Sequence, residues 1–113
     1  MIDYNRKRFR AESAAPDSEA TVALYRQDGD LLWGESAGGS VRRGSLTGVV
    51  RADGVAEFAY TMVLASGEVV AGHCVSTPEV LQDGRIRLEE VWRRFGENAD
   101  QGVSYLIELP SGT

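Results

Sequence analysis

The sequence predicts an all-β protein: one antiparallel up-and-down barrel of about eight strands over residues 1–113, with a two-sheet β-sandwich as the alternative. Three observations carry this expectation. Runs rich in β-formers alternate with Gly-containing turn signals at spacings of about 8 to 14 residues. The apolar residues within the runs recur with period two, which puts them on one face of a strand. The connections are of hairpin length, whereas a Greek-key sandwich needs long crossovers.

Along the chain, a tight turn at Asn5-Arg6 precedes a first strand near Arg8 to Glu12, and "SAAPDS", Ser13 to Ser18, reads as a loop because it is small, polar and contains a proline. "TVALYRQ" and "LLWGES" flank the turn "QDGD", and "AGG" at 37–39 leads into "SVRRGSLTGVVR". Gly34, Gly44, Gly48 and Gly72 lie within strands, where they are expected to mark bends or bulges of a curling sheet.

After "ADG" at 52–54 comes "VAEFAYTMVL". Its large apolar residues Phe58, Tyr60, Met62 and Leu64 share one parity, so it reads as a strand. "EVVAGHCVS" follows the "SG" turn. "STPE", Ser76 to Glu79, has the form of a helix start and is expected to make a short 3₁₀ or helical turn, with a carboxylate lid on the barrel mouth as its functional reading. "RIRLEEVWRR" follows "QDG" at 82–84. A helix is the rival here, since the residues have good helix propensity. The Asp-Gly turn directly before it favours a hairpin strand, with Ile86, Leu88, Glu90 and Trp92 on one face. "FGENADQG" is the last turn and "VSYLIEL" the last strand.

Composition excludes several functions. A chain of 113 residues and 12.3 kDa with formal charge −5 repels phosphate backbones, so nucleic acid is not an expected partner. The local cluster Arg6, Lys7, Arg8 and Arg10 reads as the solvated face of an edge strand, with an anion-binding arm as the functional alternative. Apolar runs of four or five residues fall far short of the roughly 20 that a membrane helix needs. The amino-terminal "MIDYNRKRFR" lacks an apolar h-region, and one cysteine makes no internal disulfide, so a cytoplasmic location is expected.

His73 and Cys74 are the only residues of their types. Adjacent strand residues point to opposite faces, so the pair is expected to form neither a nucleophile–base couple nor a metal site. Cys74 should be buried and His73 at the surface. No metal, no cofactor and no catalytic residue is assigned. Glu90 is the most informative polar residue, because a carboxylate among apolar side chains must find a donor or its pKa rises. It reads as a ligand-binding acid or a general acid/base, or else as one half of an ion pair with an inward arginine from a neighbouring strand, or as a carboxylate in water at the barrel mouth. Tyr60 and Trp92 join it as candidate ligand-binding residues, and Phe58 is core or pocket lining. The direction of Trp33 stays open; if outward, it suggests a subunit interface.

"SAGGSVRRGSLTG", "GHCVSTPEVLQDGRIRLEEVW" and "GVSYLIEL" resemble a group of short uncharacterised bacterial proteins that carry a Gly-Gly turn, a Gly-x-Leu-x-Gly strand, a Gly-x-Cys-x-Ser-x-Pro-Glu segment and a Leu-x-Glu-x-Trp strand. Some members are labelled N-acetylglutamate synthase. "RADGVA", Arg51 to Ala56, fits a pyrophosphate-loop pattern of acetyltransferases, but the residues after it alternate as a strand, and such a loop needs a helix. More distantly, the strand order and the Gly-x-Cys and Leu…Trp positions look like avidin and the wider calycin barrels. That resemblance implies an eight-stranded barrel with one open end and an interior pocket. It does not imply biotin, because only Trp92 matches avidin's tryptophan-rich lining.

Three functional readings result: a barrel that binds a small, mostly apolar ligand; an isomerase- or cyclase-type enzyme using Glu90 and Tyr60; or a homodimeric interaction or structural module whose barrel is filled by its own side chains.

Overall fold

The computed structural model describes residues 2–15 and 18–110. Eight strands run in chain order: β1 (Arg8–Ala11), β2 (Val22–Asp28), β3 (Leu31–Gly38), β4 (Val41–Val50), β5 (Ala56–Leu64), β6 (Val69–Val80), β7 (Ile86–Arg94) and β8 (Asp100–Glu108). Each pairs antiparallel with the next, and β1 pairs with β8 through Phe9↔Glu108 and Arg10↔Ile107, so the sheet closes into a barrel. The sandwich alternative is thereby set aside. No helix is found among the described residues, and both test segments, 55–64 and 85–94, are strands. Among the described residues, no helix is long and apolar enough to cross a membrane.

Alternation decides what enters the barrel. Inward residues include Phe9, Tyr25, Leu32, Leu46, Val50, Phe58, Cys74, Ile86 and Leu88, all buried. The inward aromatics follow a consistent pattern. Tyr25 lies opposite Gly34, Phe58 opposite Gly48, Tyr60 opposite Gly72 and Trp92 opposite Gly102. A Cβ at Gly72 would stand 2.4 Å from the Tyr60 ring, and one at Gly102 would stand 2.8 Å from the Trp92 ring. Each large ring thus covers a neighbour that has no side chain, a familiar way to fill a strongly curved sheet. This corrects the expectation of bulges at Gly34, Gly48 and Gly72. The register shifts fall between Ser36 and Gly38 and between Val41 and Arg43; Gly44 pairs with Ser36 at the edge of the first, whereas Gly34, Gly48 and Gly72 serve close approach within regular pairing.

One end of the barrel is closed by the chain's beginning. Arg6 takes a left-handed φ of 66°, which turns residues 2–5 across the opening. Tyr4 is fully buried there against Phe9 and Tyr25, and its hydroxyl donates to the Gly54 carbonyl at 2.6 Å. Its amide donates to Gln27 Oε1 at 2.8 Å. At the same end Glu108 is buried, accepts from the Ile86 amide at 3.0 Å and pairs with Lys7 at 3.3 Å.

Four further expectations need correction. "STPE" is not a helical turn. β6 continues through it, with Pro78↔Leu88 and Glu79↔Arg87 in register. Pairing with β5 ends at Ala56↔Ser76, so Pro78 has a strand on one side only, a place where a missing N–H is tolerated. Glu79 pairs with Arg87 on the outer surface and is no lid. β8 begins at Asp100, three residues before the expected start, because Gly102 is needed beneath Trp92. β1 is not an edge strand, and its basic residues are engaged locally: Lys7 with Glu108, and Arg10 with the Ala15 carbonyl at 2.6 Å. Of the loop Ser13 to Ser18, Pro16 and Asp17 lie outside the described residues.

Candidate ligand-binding cavity

A cavity of about 380 Å³ occupies the half of the barrel away from Tyr4, within the span of small-molecule sites. It exists because several inward residues on this side are small: Ala11, Thr21, Ala23, Ser36 and Ser104 leave room that Tyr25 and Phe58 occupy deeper down. The expectation of a barrel filled by its own side chains does not hold, for this reason.

The structure brings Tyr60, Glu90 and Trp92 together on this cavity. Glu90 and Trp92 follow Ile86 and Leu88 inward by parity, while Glu89 is exposed. In register Glu90 stands between Ser76 on β6 and Ser104 on β8. The Ser76 hydroxyl donates to Glu90 Oε2 at 2.9 Å, and the Cys74 thiol to the same oxygen at 3.6 Å. Trp92 Nε1–H donates to Ser104 Oγ at 3.0 Å, which fixes the indole across the cavity wall. The Tyr60 hydroxyl donates to the Arg93 carbonyl at 3.4 Å.

Among the described residues Glu90 has no ion-pair partner, so the ion-pair expectation is not met. Burial pushes its carboxyl above the usual range, and hydrogen bonds from Ser76, Cys74 and Tyr25 hold it part of the way back. Burial, helped by the nearby Glu90 charge, raises the Tyr25 hydroxyl and the Cys74 thiol as well. Cys74 is therefore a buried thiol held neutral, unsuited to nucleophilic attack.

A carboxyl whose folded pKa is raised stabilises the fold fully below its unfolded pKa, near 4.3, and that contribution is lost as pH rises through the folded value. Glu90→Gln keeps the acceptor for Ser76 and removes the titration. Thermal melts should show wild type and variant nearly equal at about pH 4, and the variant more stable at pH 8. A variant less stable at pH 8 would mean that a cation holds Glu90.

His73 and Cys74 do point to opposite faces. Cys74 is buried, while His73 lies partly exposed outside, its Nε2 2.9 Å from Glu57 Oε2. Glu57 also takes Arg51, and these two partners hold its carboxyl below the usual range, the His73 hydrogen bond contributing most. Trp33 faces outward beside Leu31 and Val49, which pair across β3 and β4. The "RADGVA" segment is a hairpin turn between β4 and β5, with Gly54 at φ 87° and no helix after it. It offers no helix N-terminus to a pyrophosphate.

Arg94, Ser104, Ser76 and Tyr25 also belong to the site. Arg94 was legible: it continues the parity of Glu90 and Trp92 by two residues. The other three required the register between strands.

Comparison with curated proteins and with solved structures gave no match. The model of one family, described as avidin-like protein, matches residues 2–109. That span takes in all eight strands, the closing Tyr4 and the cavity. The chain therefore belongs to the avidin-like family.

Proposed function

We propose that this protein binds a small, mostly apolar molecule inside the barrel and that Glu90 supplies the principal polar contact. The observation that carries the reading is the open cavity of about 380 Å³, with rings and aliphatic groups around a few convergent polar atoms. Trp92 and Tyr60 offer flat apolar faces. Glu90 offers an acceptor or, when protonated, a donor at mid-depth. The avidin-like fold supports the reading, since such barrels often hold small ligands in their open end.

2-Naphthol serves as a test probe, having a two-ring apolar body and one hydroxyl. Calorimetry should give a dissociation constant below about 1 mM for wild type. Ala23→Trp, which plugs the cavity with a ring, should abolish the binding. Glu90→Leu should bind naphthalene as wild type does but lose about tenfold of affinity for 2-naphthol, the usual worth of a buried hydrogen bond. Unchanged 2-naphthol affinity in both variants would refute the reading.

The position of Glu90 favours a second reading. A raised carboxyl facing an apolar cavity is also the arrangement of a general acid/base. Turnover of a bound compound that stops in Glu90→Gln, with binding retained, would favour the enzyme.

A further inference from the structure

Among the buried side-chain nitrogen and oxygen atoms of the described residues, one has no hydrogen-bond partner: Nε of Arg94. Buried polar groups are nearly always satisfied, so such an orphan calls for a cause. Arg94 is the last residue of β7 and lines the same cavity as Glu90 and Trp92. It makes no ion pair with any described residue. Its register partner is Asp100, at the start of β8, yet the two do not form an ion pair. Its guanidinium carbon lies 5.9 Å from the Trp92 ring centroid. The Tyr60 hydroxyl lies beside the guanidinium: burial pushes that hydroxyl up, and the Arg94 charge, with a hydrogen bond from Arg94, opposes the push.

A guanidinium stays charged at every accessible pH and presents N–H groups in a planar fork. That fork matches the paired oxygens of a carboxylate or sulfonate better than any neutral group. Glu90, four residues away on the same face of the strand, lies deeper, roughly 13 Å along the strand by its rise per residue. At that distance, and with burial drawing it toward its neutral form, it repels an anion at the mouth only weakly. The cavity thus has an acidic pole in its depth, an indole wall between, and at its opening a cationic pole whose Nε has no partner.

We infer that the molecule held by this barrel is an organic anion: a ring-bearing apolar body lies against Trp92 and Tyr60, and its carboxylate or sulfonate group is received by Arg94 at the mouth. The inference rests on the ligand-binding reading above and adds the charge and orientation of the ligand.

Two dyes with the same rings test it: 1-anilinonaphthalene-8-sulfonate and its uncharged counterpart N-phenyl-1-naphthylamine. The chain has two tryptophans, so in a Trp33→Phe background dye emission excited through Trp92 reports the cavity. The sulfonate should bind at least about tenfold more tightly than the neutral dye, a difference of about 1.4 kcal/mol. Arg94→Met should erase that preference and leave neutral-dye binding intact. Arg94→Gln, which keeps a polar side chain, should do the same if the methionine variant folds poorly. Arg93→Met, on the exposed outer face, should keep the preference. Equal affinities in the Trp33→Phe protein, or a preference that survives both Arg94 substitutions, would overturn the anion inference and leave the binding reading standing. Absence of binding by either dye would overturn both.

Discussion

Gly48→Ala is expected to cost more than about 3 kcal/mol and to leave much of the chain unfolded at 37 °C. A Cβ at Gly48 would stand 1.9 Å from the Glu57 carbonyl oxygen and 2.5 Å from Phe58 Cβ. The first of these is backbone, so no side-chain rotation relieves the contact. Relief requires β4 and β5 to separate around the Gly48↔Phe58 pair, which has paired residues on both sides in a nine-pair ladder. A closed barrel transmits that displacement to both neighbouring strands. With total stabilities of about 5–15 kcal/mol for such domains, the loss is a large fraction of the whole. Gly29→Asn is the matched control. Gly29 has a positive φ, 62°, but no atom lies within 4 Å of its missing Cβ, and asparagine tolerates that backbone. It should fall within about 0.5 kcal/mol of wild type in urea denaturation. A Gly48→Ala protein as stable as this control would show that the β4–β5 spacing is wider than described.

Tyr4→Ala should destabilise by about 3–5 kcal/mol, the usual cost of removing a fully buried aromatic ring. Tyr4 is the plug of the closed end, with ring centroids 6.4 Å from Phe9 and 6.1 Å from Tyr25. Tyr4→Phe divides the effect: it keeps the plug, leaves the Gly54 carbonyl without its donor and should cost about 1–2 kcal/mol. The closed end bears on the site through Tyr25, which packs on Tyr4 and hydrogen-bonds toward Glu90. Removing the plug frees Tyr25 to shift, so Tyr4→Ala should also weaken 2-naphthol binding, whereas Tyr4→Phe should not. Chemical denaturation and calorimetry on the same three proteins separate the two effects.

How much of this was readable in advance depended on whether the information was local. Period two in Val55 to Leu64 and Arg85 to Arg94 fixed which residues enter the barrel, so Tyr60, Glu90 and Trp92 were placed correctly relative to one another. The Asp-Gly and Ser-Gly signals marked the hairpins for the same reason: a left-handed backbone position leaves a trace in a single residue. What stayed hidden was cross-strand. The roles of Gly72 and Gly102 depend on which ring lies opposite, and "STPE" looked like a helix start because the strand β7 that holds it extended is not visible in those four residues. The tryptophan at 33 was undecided because Leu31 and Leu32 beside it are both apolar; the pairing of Leu31 with Val49 on the outer face settles it. The partners of Glu90 were misjudged on similar grounds. An inward arginine was expected from a neighbouring strand, and the inward arginine of the cavity is on its own strand, four residues away and in no ion pair with it.

Ligands are expected to enter the barrel. The two tryptophans report on this directly, since the indole N–H of Trp92 faces inward to Ser104 and Trp33 lies on the outer surface. In a ¹⁵N-labelled sample titrated with 2-naphthol, the Trp92 indole resonance should shift and saturate while that of Trp33 stays in place. A shift confined to Trp33, or two resonances that both remain fixed, would contradict the account.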